Sequence, residues 1–219
     1  MLRKKIKFIN KKYLTFPNKD FENNKVKNKG IIFKYVNIAI YLALFLLSGL
    51  TVYFGYIPLW NTQITYLPII VVFATVHLGF AGAMTAGLGF GFSSFLAAMM
   101  LGVIKYQYPD ISILPRVLLG LIVYAIYRLL RMDEKNKLWK FASLSILASI
   151  LNIALVLSMQ YLHNLYSPLR GILPIKEWIL LHIPTLVIEP TVGLILGILL
   201  FWFAKMTRKK YLQRLNMSY

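Results

Sequence analysis

The chain has 219 residues, of which 58% are apolar, yet its formal net charge is +18. In a soluble protein these two values would conflict, but here the apolar residues and the charges occupy different segments of the chain. The absence of cysteine excludes disulfides, thiol catalysis and cysteine metal sites. The basic residues flank apolar stretches and do not form an aromatic-lined groove, which disfavours nucleic acid as a partner.

Six apolar stretches follow the first 34 residues, and each predicts a helix that spans a lipid bilayer. Such a helix needs about 20 mostly apolar residues at a rise of 1.5 Å each. The predicted spans are Tyr35–Gly55, Thr65–Phe80, Ala81–Ile104, Ser112–Arg131, Trp139–His163 and Lys176–Lys205. The predicted fold is therefore an all-α integral membrane bundle of six transmembrane helices over residues 35–205. A basic N-terminal tail (1–34) and a basic C-terminal tail (206–219) flank it.

The distribution of lysine and arginine predicts the orientation of this bundle. Of the 25 basic residues, 21 lie in the N-terminal tail, in the connection after the fourth span and at the C-terminal end. Six crossings place these three segments on one side of the membrane. The other side then carries Lys105, Arg116, Arg170 and Lys176. Because positive residues accumulate on the cytoplasmic side, both termini are predicted to be cytoplasmic.

Polar side chains recur at helical spacing in the last three spans, so each set shares one helix face. The faces carry Arg116, Gly120, Tyr124 and Tyr127 in the fourth span, Asn152, Val156, Gln160 and His163 in the fifth, and Trp178, His182, Thr185 and Glu189 in the sixth. Polar groups in lipid usually face the bundle interior, so stripes that meet toward the outside predict an outward-facing cavity. The candidate substrate-binding residues are Thr65, Arg116, Tyr124, Asn152, Gln160, His182, Thr185 and Glu189.

Structural interpretations of these residues stay open beside the functional one. Arg116 follows Pro115 and could extend to the membrane interface. Asn152 could cross-link two helices, and Glu189 could form a structural ion pair with Arg116 or with a histidine. His77 stands alone near the inner end of the second span and is expected to be structural.

Sets of residues that would indicate an enzyme are missing from the sequence. The string GFGFSSF has the serines of a rhomboid-type protease, but no histidine is placed to activate them. Glu189 is solitary, whereas intramembrane CAAX-type proteases use paired glutamates. It also lies two turns from His182, too far for a metal pair on one helix. No phosphate-binding GxxxxGK[ST] loop is present. We therefore expect no enzymatic activity, no metal and no cofactor.

An ordered set of motifs resembles the substrate-binding S components of energy-coupling-factor (ECF) vitamin transporters, over roughly Tyr35 to Lys205. The first helix has the small-residue pair Ala39/Ala43. The block ITYLPIIVVFATVHLGFAGAMTAGLGFGFSSF is similar to the family's region from the first outer loop through helices two and three. The strings SILPRVLLGLI and SILASILNIALVL, with Asn152, resemble its helices four and five.

The resemblance implies a multi-pass protein of the bacterial cell membrane that binds a water-soluble vitamin from outside, between helices four to six and the first outer loop. It further implies docking through Ala39 and Ala43 onto a membrane coupling subunit, which works with two cytoplasmic ATPase subunits. Arg116 suits a carboxylate and favours pantothenate, with cobalamin, folate, pyridoxine-type compounds and riboflavin left open. The alternative of another class is a structural membrane protein similar to the cell-shape protein MreD.

Overall fold

Helices make up most of the fold. The structure is a computed structural model that describes residues 19–59, 62–132, 137–169 and 172–215. Its helices are α1 (Lys19–Leu50), α2 (Val52–Gly55), α3 (Leu67–Leu78), α4 (Phe80–Leu101), α5 (Pro109–Ser112), α6 (Leu114–Leu129), α7 (Leu138–Tyr166) and α8 (Ile175–Arg214). One antiparallel hairpin joins β1 (Tyr56–Leu59) to β2 (Thr62–Thr65), with Tyr56 opposite Thr65. A 3-10 turn covers Ile104–Tyr106.

Exposed and buried side chains are distributed as in a protein that is embedded in a lipid bilayer. Within the described ranges, five helical segments are long and apolar enough to cross a membrane: Gly30–Leu50, Phe80–Leu101, Pro109–Leu129, Leu138–Tyr166 and Ile175–Arg214. Their outward surfaces expose large apolar side chains such as Leu129, Leu165 and Trp202. Polar side chains, among them Asn152 and Glu189, are buried instead. The chain is therefore a multi-pass helical membrane protein.

The second predicted span differs from the expectation. Helix α3 has 12 residues, so it is about 18 Å long, which is shorter than the bilayer's hydrocarbon core of about 30 Å. The preceding residues, through Thr65, pair in the hairpin, and Gly79 ends the helix at a φ of 66°. Nearly all of α3 is buried, because α1, α4, α6, α7 and α8 pack around it. Six full-length spans therefore remain a prediction.

Contacts between helices define the two ends of the bundle. Gly30 in α1 lies against Arg214 and Leu215, so the start of the apolar part of α1 and the end of α8 share one end, here called the base. Helix α3 runs parallel to α8: Thr65, just before α3, contacts Glu189, and the Phe73 and Phe203 rings stack at 5.5 Å. The hairpin and the start of α8 consequently lie at the opposite end of the bundle.

Glycines permit the closest helix contacts, as small residues do in lipid. A Cβ atom at Gly82 would lie 1.9 Å from the Ala74 carbonyl oxygen, so α3 and α4 meet backbone to backbone. A Cβ at Gly87 would lie 2.8 Å from the carbonyl oxygen of Arg116. The glycine-rich sequence thus serves packing within the chain, and it seats the start of α6 directly on α4.

The predicted tails are partly helical. Helix α1 begins at Lys19, within the N-terminal tail predicted for residues 1–34, and α8 continues to Arg214, within the predicted C-terminal tail. Residues 1–18 and 216–219 of those tails lie outside the described residues, as do Lys135 and Arg170 from the charge analysis.

Candidate binding cavity

A cavity of about 260 Å³ opens between the hairpin and the ends of the long helices on that side of the bundle. It lies at the end of the bundle opposite the base. The lining comes from the hairpin (Tyr56, Gln63, Thr65), α4 (Ser94, Ala97, Ala98, Leu101), the following connection (Val103, Lys105, Tyr106), α6 (Arg116), α7 (Asn152, Ile153, Val156) and α8 (Trp178, His182, Thr185, Glu189). Along α8, the lining from Trp178 to Glu189 is about 16 Å long at 1.5 Å per residue.

Arg116 is a buried cation in the cavity wall, with 5% of its surface exposed. Its Nη1 donates to the carbonyl oxygens of Ile111 at 2.7 Å and Ser112 at 3.2 Å. The guanidinium carbon lies 5.5 Å from the Phe90 ring centroid and 5.8 Å from that of Tyr106, within cation–π range. Arg116 therefore does not extend to an interface, and four neighbours fix its position.

Glu189 is a buried carboxylate on α8 with 2% exposure. Its Oε1 accepts a hydrogen bond of 2.9 Å from the backbone N–H of Thr65, and the Thr65 hydroxyl in turn accepts one from the Leu67 N–H at 3.2 Å. Glu189 thus ties α8 to the junction between β2 and α3. This backbone contact takes the place of the ion pair with Arg116 or a histidine considered from the sequence.

Five buried polar atoms on the cavity lining have no hydrogen-bond partner among the described residues: Arg116 Nε, Asn152 Oδ1, Trp178 Nε1, Thr185 Oγ1 and Glu189 Oε2. Other such atoms lie away from the cavity, among them His77 Nε2, Gln160 Nε2, His163 Nε2 and Arg208 Nε. Leaving one such group unsatisfied costs about 1–3 kcal/mol, and more when it is charged. Polar atoms that converge on one concave space without partners are the arrangement expected where a polar ligand completes the hydrogen bonds.

Aromatic side chains form the remaining wall. The Trp178 and His182 rings stack with centroids 3.9 Å apart and planes 7° apart, and His182 Nδ1 lies 2.8 Å from the Trp178 carbonyl oxygen. On the hairpin, the Tyr56 hydroxyl donates to Ser93 Oγ at 3.4 Å. Burial raises the pKa of the Tyr56 phenol, against opposing contributions from Arg116 and the neighbouring serines. The phenol therefore stays protonated at neutral pH and remains a hydrogen-bond donor.

The structure brings most of the predicted site residues around this one cavity: Thr65, Arg116, Asn152, His182, Thr185 and Glu189. Tyr124 and Gln160 do not line it. The Tyr124 ring packs against Phe80 at 5.3 Å, at the opposite, base end of the bundle. Gln160 is buried on α7, one turn beyond Val156. Ligand binding by any of the eight residues stays a prediction.

Several lining residues were not among the predicted candidates: Tyr56, Gln63, Ser94, Lys105, Tyr106 and Trp178. A signal existed for two of them. Lys105 is one of only four basic residues that the charge analysis placed on the outer side, and Trp178 begins the polar face of the sixth span. For the hairpin residues Tyr56 and Gln63, the resemblance implied only that the first outer loop takes part in binding, because the position of each side chain depends on how the loop folds back.

His163, which shares the polar face of α7, takes part in a separate cluster. Its Nδ1 lies 2.5 Å from Asp110 Oδ2 and 2.9 Å from the Tyr166 hydroxyl, which also donates to Asp110. The Tyr108 ring packs on the imidazole with centroids 4.4 Å apart. This cluster fastens α5 to the C-terminal end of α7, beside the connection that supplies Lys105 to the cavity.

His77 and the pair Ala39/Ala43 lie away from the cavity. His77 Nδ1 is 2.8 Å from the Tyr41 hydroxyl, and its ring is surrounded by aromatic rings near the base, consistent with a structural role. Ala39 and Ala43 are exposed on α1, whose opposite face, with Tyr41 and Phe45, packs into the bundle. The small-residue face is therefore open to contact from outside the chain.

No family model matches the chain, and no curated protein is significantly similar to it. The residues and geometry of the cavity are therefore the basis for assigning a function.

Proposed function

We propose that this chain is the substrate-binding S component of an ECF-type vitamin uptake transporter in the bacterial cell membrane. It binds its substrate from outside, and it has no catalytic activity of its own. The observation that carries the proposal is the cavity: a concave, polar space in a lipid-exposed bundle, lined by buried groups that lack partners. Its lining from α6, α7, α8 and the hairpin corresponds to helices four to six and the first outer loop in the resemblance.

The proposed topology has six crossings with both termini in the cytoplasm. It is supported by the contact of Gly30 with Leu215 at the base and by the basic residues at that end of α8, including Arg208 and Arg214. In this orientation α3 forms the second crossing, the hairpin is the first outer loop, and the cavity opens to the outside. Positive charge on the base then faces the cytoplasm, as expected for a membrane protein.

The size and chemistry of the cavity support a small substrate. About 260 Å³ is below the range of roughly 300–1,000 Å³ that is usual for drug-sized ligands. This favours pantothenate or a pyridoxine-type compound over cobalamin, folate and riboflavin. Arg116 and Lys105 on the lining suit a carboxylate, so pantothenate is the first compound to test.

The proposed partners are a membrane coupling subunit and two cytoplasmic ATPase subunits. Support for docking comes from the exposure of Ala39 and Ala43, because small residues let a second helix approach closely where lipid provides no hydrophobic drive. The coupling complex would supply the free energy that favours an inward-releasing arrangement of the bundle, since a ligand that binds one state alone cannot produce net accumulation.

Reconstitution in liposomes tests this function. Mass spectrometry of the purified protein first identifies any retained small molecule, and radiolabelled pantothenate is then supplied outside. We expect binding by the chain alone, and accumulation only when the coupling and ATPase subunits and internal ATP are present. Accumulation by the chain alone would mean an autonomous carrier. Absence of both a ligand and co-purifying ATPase subunits would favour a structural protein similar to MreD.

A further inference from the structure

Two buried ionisable side chains of opposite type, Arg116 and Glu189, line the cavity, and each is held by different neighbours. Arg116 is fixed by two backbone carbonyls and two aromatic rings, and Glu189 by the Thr65 N–H. Within the described part of the chain they form no ion pair with each other. Opposite charges attract strongly in a protein interior, so their separate anchors keep both available to a third group.

The unsatisfied atoms on these two residues differ in kind. Arg116 Nε is a donor that lacks an acceptor, whereas Glu189 Oε2 is an acceptor that lacks a donor. Lys105, on the same lining, adds a second positive charge. A cationic ligand would leave Arg116 unpaired and meet repulsion from Lys105. A ligand with anionic groups at both ends would offer no donor to Glu189 Oε2. A neutral ligand would leave the buried Arg116 cation uncompensated, which is strongly unfavourable.

We propose that the ligand is a small monocarboxylate with two chemically different ends. Its carboxylate pairs with Arg116, assisted by Lys105, and hydroxyl or amide N–H groups at its other end donate to Glu189. The cavity lining along α8 is about 16 Å long, so it accommodates such an elongated molecule. This inference rests on the proposed function and specifies the class of substrate for the same cavity.

Pairs of compounds that differ at one end test each half of the proposal. Panthenol carries a hydroxymethyl group in place of the carboxylate of pantothenate. Biotinamide carries an amide in place of the carboxylate of biotin. In 4′-phosphopantothenate a donor hydroxyl becomes a phosphate. Thiamine represents cationic vitamins. Affinities are measured by titration calorimetry on the full chain in lipid nanodiscs, at fixed pH and ionic strength.

The wild-type chain should bind at least one carboxylate, and bind it about tenfold or more tightly than its neutral counterpart, as expected for a charge-assisted hydrogen bond. Phosphorylation of pantothenate should weaken binding by a similar factor or more. The Arg116→Gln variant should lose most of the preference for pantothenate over panthenol, and Lys105 accounts for any part that is left. Lys176→Gln, at an exposed position off the cavity, should keep the wild-type preference.

Equal binding of both members of each pair, binding of thiamine alone, or no binding of any probe would overturn the proposal. If Arg116→Gln does not fold, the wild-type comparison of each pair still decides the carboxylate end. Failure of the proposed transporter function can be distinguished from failure of the proposed ligand class. Carboxylate-selective binding without ATP-driven uptake in the presence of the coupling complex would reject the transporter and retain the ligand class. Uptake of a neutral or cationic vitamin in the presence of the coupling complex would reject the ligand class and retain the transporter.

Discussion

Substitution of Glu189 separates its two roles, because its two oxygens have different surroundings. Oε1 accepts the hydrogen bond from the Thr65 N–H at 2.9 Å, and Oε2 has no partner among the described residues. In Glu189→Gln the amide oxygen can still accept from Thr65, while the charge and the second acceptor are lost. In Glu189→Ala both are lost, and the Thr65 N–H is left buried without a partner.

The two variants should therefore differ in stability when no ligand is present. Glu189→Gln should unfold at the wild-type temperature or above it, because it keeps the hydrogen bond from Thr65 and replaces a buried ionisable group with a neutral one. Glu189→Ala should lose about 1–3 kcal/mol, the usual cost of an orphaned buried donor. For a chain of this size that corresponds to a decrease of roughly 2–4 °C in the unfolding temperature per kcal/mol.

Both variants should bind pantothenate more weakly, by roughly tenfold to a hundredfold, since a hydrogen bond to a charged group contributes about 1.5–3 kcal/mol. Titration calorimetry in nanodiscs gives the affinity. Quenching of tryptophan fluorescence offers a second readout, because Trp178, one of the four tryptophans, lines the cavity. Glu177→Gln, at an exposed position one turn before Leu181, is the matched control and should change neither quantity.

Two results would refute this reasoning. Equal loss of stability in the Gln and Ala variants would mean that the bond to Thr65 does not anchor the hairpin junction. Pantothenate affinities within a factor of two of the wild type in both variants would mean that Glu189 does not contact the ligand.

Further predictions concern packing, the lining and docking. Gly87→Val should destabilise the chain and weaken binding, because the added Cβ would lie 2.8 Å from the Arg116 carbonyl oxygen and displace the start of α6. Overpacking of this kind costs about 1–3 kcal/mol, which thermal unfolding can measure. Asn152→Leu should weaken pantothenate binding about tenfold or more, whereas Gln160→Leu should leave it nearly unchanged; equal effects in calorimetry would place the site elsewhere. Ala39→Trp with Ala43→Trp should abolish uptake by the assembled transporter and preserve binding by the isolated chain; loss of binding would show that this face packs internally.

The sequence by itself determined the features that depend on local periodicity. Apolar runs of about 20 residues require lipid around them, and this predicted the long helices α1, α4, α6, α7 and α8 to within a few residues at most ends. Helical spacing likewise predicted which side chains of α8 share a face, since positions three and four apart must lie together. All four of those residues line the cavity.

Tertiary structure decided the features that depend on segments distant in the chain. The apolar run from Thr65 to Phe80 gives a short, central α3 because its first residue pairs in a hairpin and five helices enclose the rest. On α7, the polar face lines the cavity at Asn152 and leaves it before Gln160, since α5 packs on the C-terminal end of that helix. The hairpin and the connection after α4 bring Tyr56 and Lys105 to the cavity. No periodicity marks such residues, because their positions are fixed by contacts that form only when the bundle assembles.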